Sequence, residues 1–145
     1  MTHHAWQTTL EEPVHFEGAG VHSGAACHLT IEPAKAETGI RFVRTDLSDA
    51  PEIPALVQYL TSESTLRQTV LRRPDNPEAS VCTVEHFLAA LTGVGIDNAR
   101  ILMNGAEAPI LDGSARDQVL GIYSGVDSTT IVRGFTITNG IAGGM

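Results

Sequence analysis

Cysteine, positive charge and long apolar runs are all scarce in this sequence, and each scarcity argues against a class of protein. The two cysteines, Cys27 and Cys82, are too few and too far apart for a disulfide framework, a metal knuckle or a redox motif. They read as small reduced thiols packed in the interior. Nine Lys and Arg stand against 17 Asp and Glu, a formal net charge of −8. That balance repels a polyanionic backbone and argues against nucleic acid as a partner. No segment approaches the ~20 apolar residues needed to span a bilayer, and the start MTHHAWQTTLEE lacks a cationic stretch followed by an apolar run. The expectation is a soluble, cytoplasmic protein with no transmembrane segment. His3 and His4 lie at a free end, where two imidazoles have no fixed geometry for a metal.

What is present suffices for one ordinary core, since 42% of the 145 residues are hydrophobic. Residues 8–16 are strand-like, Gly18, Gly20 and Gly24 punctuate a turn, and alternation resumes over residues 27–31, which predicts a β-hairpin with a glycine-rich connection. A short run at 40–44, a loop through Pro51 and Pro54, and an alternating run at 66–71 follow. Residues 72–77 hold two prolines and an Asp-Asn pair and read as a turn or hairpin tip. A helix is predicted from Thr83, as N-cap, with Val84, Phe87, Leu88 and Leu91 on one apolar face and Gly93 and Gly95 at its end. Residues 98–103 return to a strand, and a second helix is expected from Ser114, carrying Val119, Leu120 and Ile122. Together these predict an α+β fold, a two-layer sandwich with a mostly antiparallel sheet and two helices on one face. The last segment is rich in Gly, Thr and β-branched residues, and residues 130–140 look like one rung of a parallel β-helix with no internal partner. The expected division is a main domain at 7–120 and an unrelated tail at 121–145.

Among residues able to carry chemistry, Glu85 and His86 stand out. Neighbours on a helix project about 100° apart, so a carboxylate and an imidazole can face one cleft beside the helix start. A neutral imidazole supplies a zinc ligand, and an adjacent carboxylate can act as a base. The His-Glu-x-x-His pattern is absent, because Ala90 stands four residues after His86, so further ligands must come from far away in sequence. Taken alone, the pair also fits a solvated first helical turn.

The surrounding words change that weighting. Gly18-Ala19-Gly20-Val21-His22-Ser23-Gly24, then Thr83-Val84-Glu85-His86 with Leu88-Ala89-Ala90-Leu91, then Gly93-Val94-Gly95-Ile96-Asp97-Asn98, and finally Pro109-Ile110-Leu111-Asp112-Gly113-Ser114-Ala115 occur in that order. In this the sequence resembles the N-terminal domain of the UDP-3-O-acyl-N-acetylglucosamine deacetylases, zinc hydrolases of lipid A synthesis. The resemblance implies that His86 is a zinc ligand and that Glu85 is the general base for the water that attacks the acetamide carbonyl of a UDP-acyl-sugar. It places His22 and Thr65 near the substrate, each with a packing alternative, and leaves Asp97 and Asn98 to hold the turn after the helix. Asp112 reads as a helix cap rather than a catalytic carboxylate. In the family a second domain supplies the other two zinc ligands and a histidine general acid, and no histidine follows His86 here. The expectation is therefore a truncated or chimeric deacetylase with an incomplete zinc site, inactive without its missing second domain. An uncovered apolar face would leave self-association open. The alternative is a non-catalytic binding or assembly module on the same scaffold, which would have no chemical need for both Glu85 and His86.

Overall fold

The computed structural model describes residues 6–62 and 68–109, with the backbone of 119–120, 122–123 and 135–136. In chain order the elements are β1 (Thr9–Leu10), β2 (Val14–Ala19), β3 (Ala26–Pro33), β4 (Ile40–Arg44), β5 (Glu52–Pro54), a 3-10 turn (Val57–Tyr59), β6 (Val70–Arg73), β7 (Asn76–Cys82), α1 (Glu85–Gly93), β8 (Ala99–Met103), β9 (Val119–Leu120), β10 (Ile122–Tyr123) and β11 (Phe135–Thr136). Five of the strands form one sheet in the order β2-β3-β8-β4-β5, antiparallel throughout except where β4 runs parallel to β8.

Alternation along each strand sorts the side chains to two faces. Register aligns Ile31, Ile101, Phe42 and Ile53 in one row across four strands, and all four are buried. The next row, Glu32, Arg100 and Arg41, lies on the opposite face. There Arg100 pairs with Glu52 at 2.7 Å and Glu32 at 3.3 Å, part-exposed pairs that add little stability. The expected hairpin is present as β2 and β3, and its connection closes through the Gly24 amide donating to the Gly20 carbonyl at 2.9 Å. Gly24 has φ +66°, a left-handed conformation that favours glycine.

Helix α1 and the β6–β7 hairpin cover the inner face. Val84, Phe87 and Leu91 join Leu71, Ala79 and Val81 in the same core as Leu29 and Ile101, while Leu88 is only partly buried at its margin. The turn predicted at 72–77 is the tip of this hairpin, with Pro74 and Asp75 between the strands. Strand β5 was not expected from the sequence, and β7 is the return strand that a hairpin tip at 72–77 requires. Thr83 is not the N-cap: that position is Val84, with no side-chain cap, and Thr83 has φ +58°. Its hydroxyl is engaged elsewhere, as described below, so the cap is lost to a tertiary contact.

The second helix is also corrected in part. Val119–Leu120 and Ile122–Tyr123 are strands, β10 pairing antiparallel with β1 and β9 with β11. Pairing with other segments satisfies backbone groups, and the β-branched Val119 and Ile122 suit it. The tail thus has an internal partner after all, at Val119–Leu120, and it is antiparallel. The proposed helix start at Ser114 and the loop at Asp112 lie outside the described residues. Among the described residues the fold is α+β and mostly antiparallel with one α-helix, and no helix is long and apolar enough to cross a membrane.

Candidate functional site

Residues 106–109 form the spine of the site. On one side the Cys82 amide donates to the Ala106 carbonyl at 2.8 Å, and the Ala108 amide donates to the Cys82 carbonyl at 3.0 Å. On the other side Pro109 forms an antiparallel bridge with Gly20. The glycine-rich loop, the end of β7 and the start of α1 therefore meet on one extended segment, although they lie far apart in sequence.

Glu85 occupies the first turn of α1 and is exposed. Its Oε2 accepts the Thr69 amide at 3.2 Å, while Oε1 has no partner among the described residues. Its neighbour His86 is half-buried, with its ring 4.8 Å from that of Phe87 at an interplanar angle of 52°. Nε2 of His86 lies 2.9 Å from the Pro109 carbonyl oxygen. A carbonyl only accepts, so Nε2 carries the proton, and in the neutral ring Nδ1 keeps its lone pair. A backbone carbonyl behind an imidazole is the usual support for a metal-ligating histidine. His86 thus fits the role of one zinc ligand. No group of three His, Cys, Asp or Glu among the described residues can hold a metal ion, so these residues do not complete a site.

His22 is exposed and lines a cavity of about 470 Å³ together with Ser23, Cys27, Gln68, Cys82 and Glu107. Glu85 and His86 are not among the residues lining it. Thr65 lies outside the described residues. The Asp97 and Asn98 side chains tie the segment after the helix to distant backbone: the Thr8 amide donates to Asp97 Oδ2 at 2.7 Å, and the Gly39 amide donates to Asn98 Oδ1 at 2.8 Å. Cys27 is buried and Cys82 half-buried, both as free thiols, in keeping with the sequence expectation.

Glu107 was missed by sequence reasoning. It is buried, and its carboxylate accepts the His22 amide on Oε1 and the Ser23 amide on Oε2, each at 2.8 Å. The Thr83 hydroxyl donates to Oε1 at 3.4 Å. Burial pushes its carboxyl up, but hydrogen bonds from the Ser23 side chain and from the His22 and Ser23 amides outweigh that, so it titrates below the ordinary carboxylate value. The available signal was a single acid set among Ala106, Ala108 and Pro109.

Comparison with known proteins identifies the family. The family model for LpxC, UDP-3-O-acyl N-acetylglycosamine deacetylase, matches residues 7–137. The chain is 50% identical over 117 residues to a UDP-3-O-acyl-N-acetylglucosamine deacetylase of Trichormus variabilis, covering 80% of this chain and 40% of that protein. It is 43% identical over 118 residues to the enzyme of that name in Pseudomonas entomophila, covering 81% and 37%. To the bifunctional enzyme LpxC/FabZ of Chlorobaculum tepidum it is 46% identical over 109 residues, covering 75% and 22%. The chain spans 40% or less of the length of these relatives. With the match extending over most of its residues, the chain belongs to the UDP-3-O-acyl N-acetylglycosamine deacetylase family.

Proposed function

We propose that this chain forms the Glu85–His86 face of a zinc-dependent deacetylase of lipid A synthesis, which hydrolyses the N-acetyl group of UDP-3-O-acyl-N-acetylglucosamine in the cytoplasm. The observation that carries this reading is the side-by-side placement of an exposed carboxylate and an imidazole whose Nε2 is taken by the Pro109 carbonyl. Zinc, when bound, supplies a Lewis acid that polarises the acetamide carbonyl and makes water a better nucleophile. His86 would hold the zinc through Nδ1, because Nε2 is engaged by the Pro109 carbonyl and the ring packs beside Phe87. Glu85, its Oε2 engaged by the Thr69 amide, takes the proton of the attacking water on Oε1. Acetate and a free amine on the sugar are the products.

A catalytic zinc takes three protein groups plus water, and His86 is the one ligand these residues supply. The remaining ligands and the acid that protonates the leaving amine come from a second domain of the family's kind, so the chain alone is inactive. His22 is a site-lining residue, and the family resemblance gives Thr65 a role beside the substrate. The test is zinc content and acetate release for the chain alone, for the chain mixed with the remaining portion of the Trichormus variabilis relative, and for that mixture carrying His86→Ala. Turnover is expected only in the unmutated mixture, with zinc lost in His86→Ala. Turnover by the chain alone, or an unaffected His86→Ala mixture, overturns the reading.

A further inference from the structure

Glu107 takes no part in the chemistry above, yet its carboxylate joins both halves of the candidate site. We propose that Glu107 is a positioning residue, a latch that fastens the loop at residues 18–24 to the start of α1 and so fixes where His22 stands. The latch rests on geometry alone, whereas its consequence for turnover rests on the deacetylase reading.

Three observations support it. First, beyond the turn's own Gly24–Gly20 bond and the Gly20–Pro109 bridge, the tip of the loop depends on polar contacts: residues 21–26 are all exposed, so apolar burial does not anchor them. Two successive amides, of His22 and Ser23, converge instead on one buried carboxylate at 2.8 Å each. Successive amides of this kind form an anion-binding concavity, and hydrogen bonds to an ionised acceptor are roughly twice as strong as neutral ones.

Second, the carboxylate explains a glycine. A Cβ added at Gly20 would sit 2.1 Å from Glu107 Oε2 and 2.6 Å from Ser23 Oγ. Gly20 is not among the residues with positive φ, so its backbone places no special demand on residue type. The steric demand comes from Glu107 pressed against the loop.

Third, the same carboxylate reaches the helix side. The Thr83 hydroxyl donates to Oε1, while the Thr83 amide donates to the Thr69 carbonyl at 3.0 Å and holds this β-branched residue at φ +58°. Thr83 stands two residues before Glu85, and Thr69 also donates its amide to Glu85. Displacing Glu107 therefore releases the loop from the element that carries the reacting pair.

The test compares the parent chain with Glu107→Gln and Gly20→Ala. The first removes the charge and sets an amide NH₂ against a donor; the second drives a methyl group into the latch and leaves the carboxylate in the chain. Amide hydrogen exchange at His22 and Ser23 is followed by NMR, with Leu29 and Ile101 in the core as references. Both variants are expected to raise exchange at His22 and Ser23 at least about tenfold, with the reference amides unchanged. Unchanged exchange at His22 and Ser23 in either folded variant overturns the latch. An equal rise across the core does so too, since it marks a general stabilising role. In acetate release by the mixture with the relative's remaining portion, Glu107→Gln is expected to raise KM about tenfold with kcat within about twofold. A fold defect would instead lower apparent kcat at constant KM. If the parent mixture shows no turnover, the deacetylase reading fails, and the exchange measurement still decides the latch.

Discussion

Phe87→Ala tests how the core supports the candidate site. The ring is 1% exposed, on the face of α1 that packs with Val84 and Leu91 against the sheet. Truncating a buried Phe to Ala loses transfer free energy and leaves a cavity, together about 3–5 kcal/mol. A domain of ordinary stability holds about 5–15 kcal/mol in all, so the variant forfeits a large share. The loss also removes the ring 4.8 Å from His86, leaving the Pro109 carbonyl as that imidazole's partner among the described residues. Urea unfolding followed by circular dichroism measures the change, with the midpoint expected to fall and the slope to stay constant, as for a stability change without a change in the denatured state. A loss below about 1 kcal/mol, nearer to that of a surface substitution, would refute the placement of α1 on the sheet.

Leu91→Ala is expected to cost about 2–5 kcal/mol in the same assay, and Leu88→Ala measurably less because Leu88 is only partly buried; equal losses would contradict the burial pattern. Asp46, hydrogen-bonded to Arg44, and Glu107, whose hydrogen bonds outweigh its burial, both titrate below the ordinary carboxylate value when folded. Their stabilisation is therefore full above the unfolded-state values and is lost as pH falls through the depressed folded values. Glu107→Gln should flatten that acid limb, and an unchanged pH dependence would count against the carboxylate's engagement. Burial pushes the thiols of Cys27 and Cys82 up, so alkylation near neutral pH should be slow in the folded chain, because the thiolate is the reactive form. Labelling as fast as that of an unfolded chain would contradict it.

The parts of the fold legible in the sequence were those with a local signal. Glycine punctuation between two alternating runs marked the β2–β3 hairpin, and spacings of three and four marked α1 through Val84, Phe87 and Leu91. Glu85 and His86 were legible because they lie in a motif on that helix. Strand β5 has three residues, two of them Glu and Pro, and its pairing with β4 is a tertiary fact with little local trace. Thr83 shows a local rule overridden, since its hydroxyl turns to Glu107 rather than to the helix start. Val119, Leu120 and Ile122 show the same at the level of elements: an apolar run this short fits helix or strand equally, and its pairing partners decide. Glu107 stayed hidden because its value lies wholly in long-range contacts, with residues 84 and 85 positions away in the chain.

The most direct test of the account is acetate release from UDP-3-O-acyl-N-acetylglucosamine by the chain mixed with the remaining portion of a family relative, comparing the parent with Glu85→Gln. The substitution keeps the shape of the side chain and its contact with the Thr69 amide but removes its capacity to take a proton. If Glu85 is the general base, kcat falls by about 10²–10⁴-fold with zinc content unchanged. Turnover equal to the parent's at equal zinc content would contradict the account at its centre.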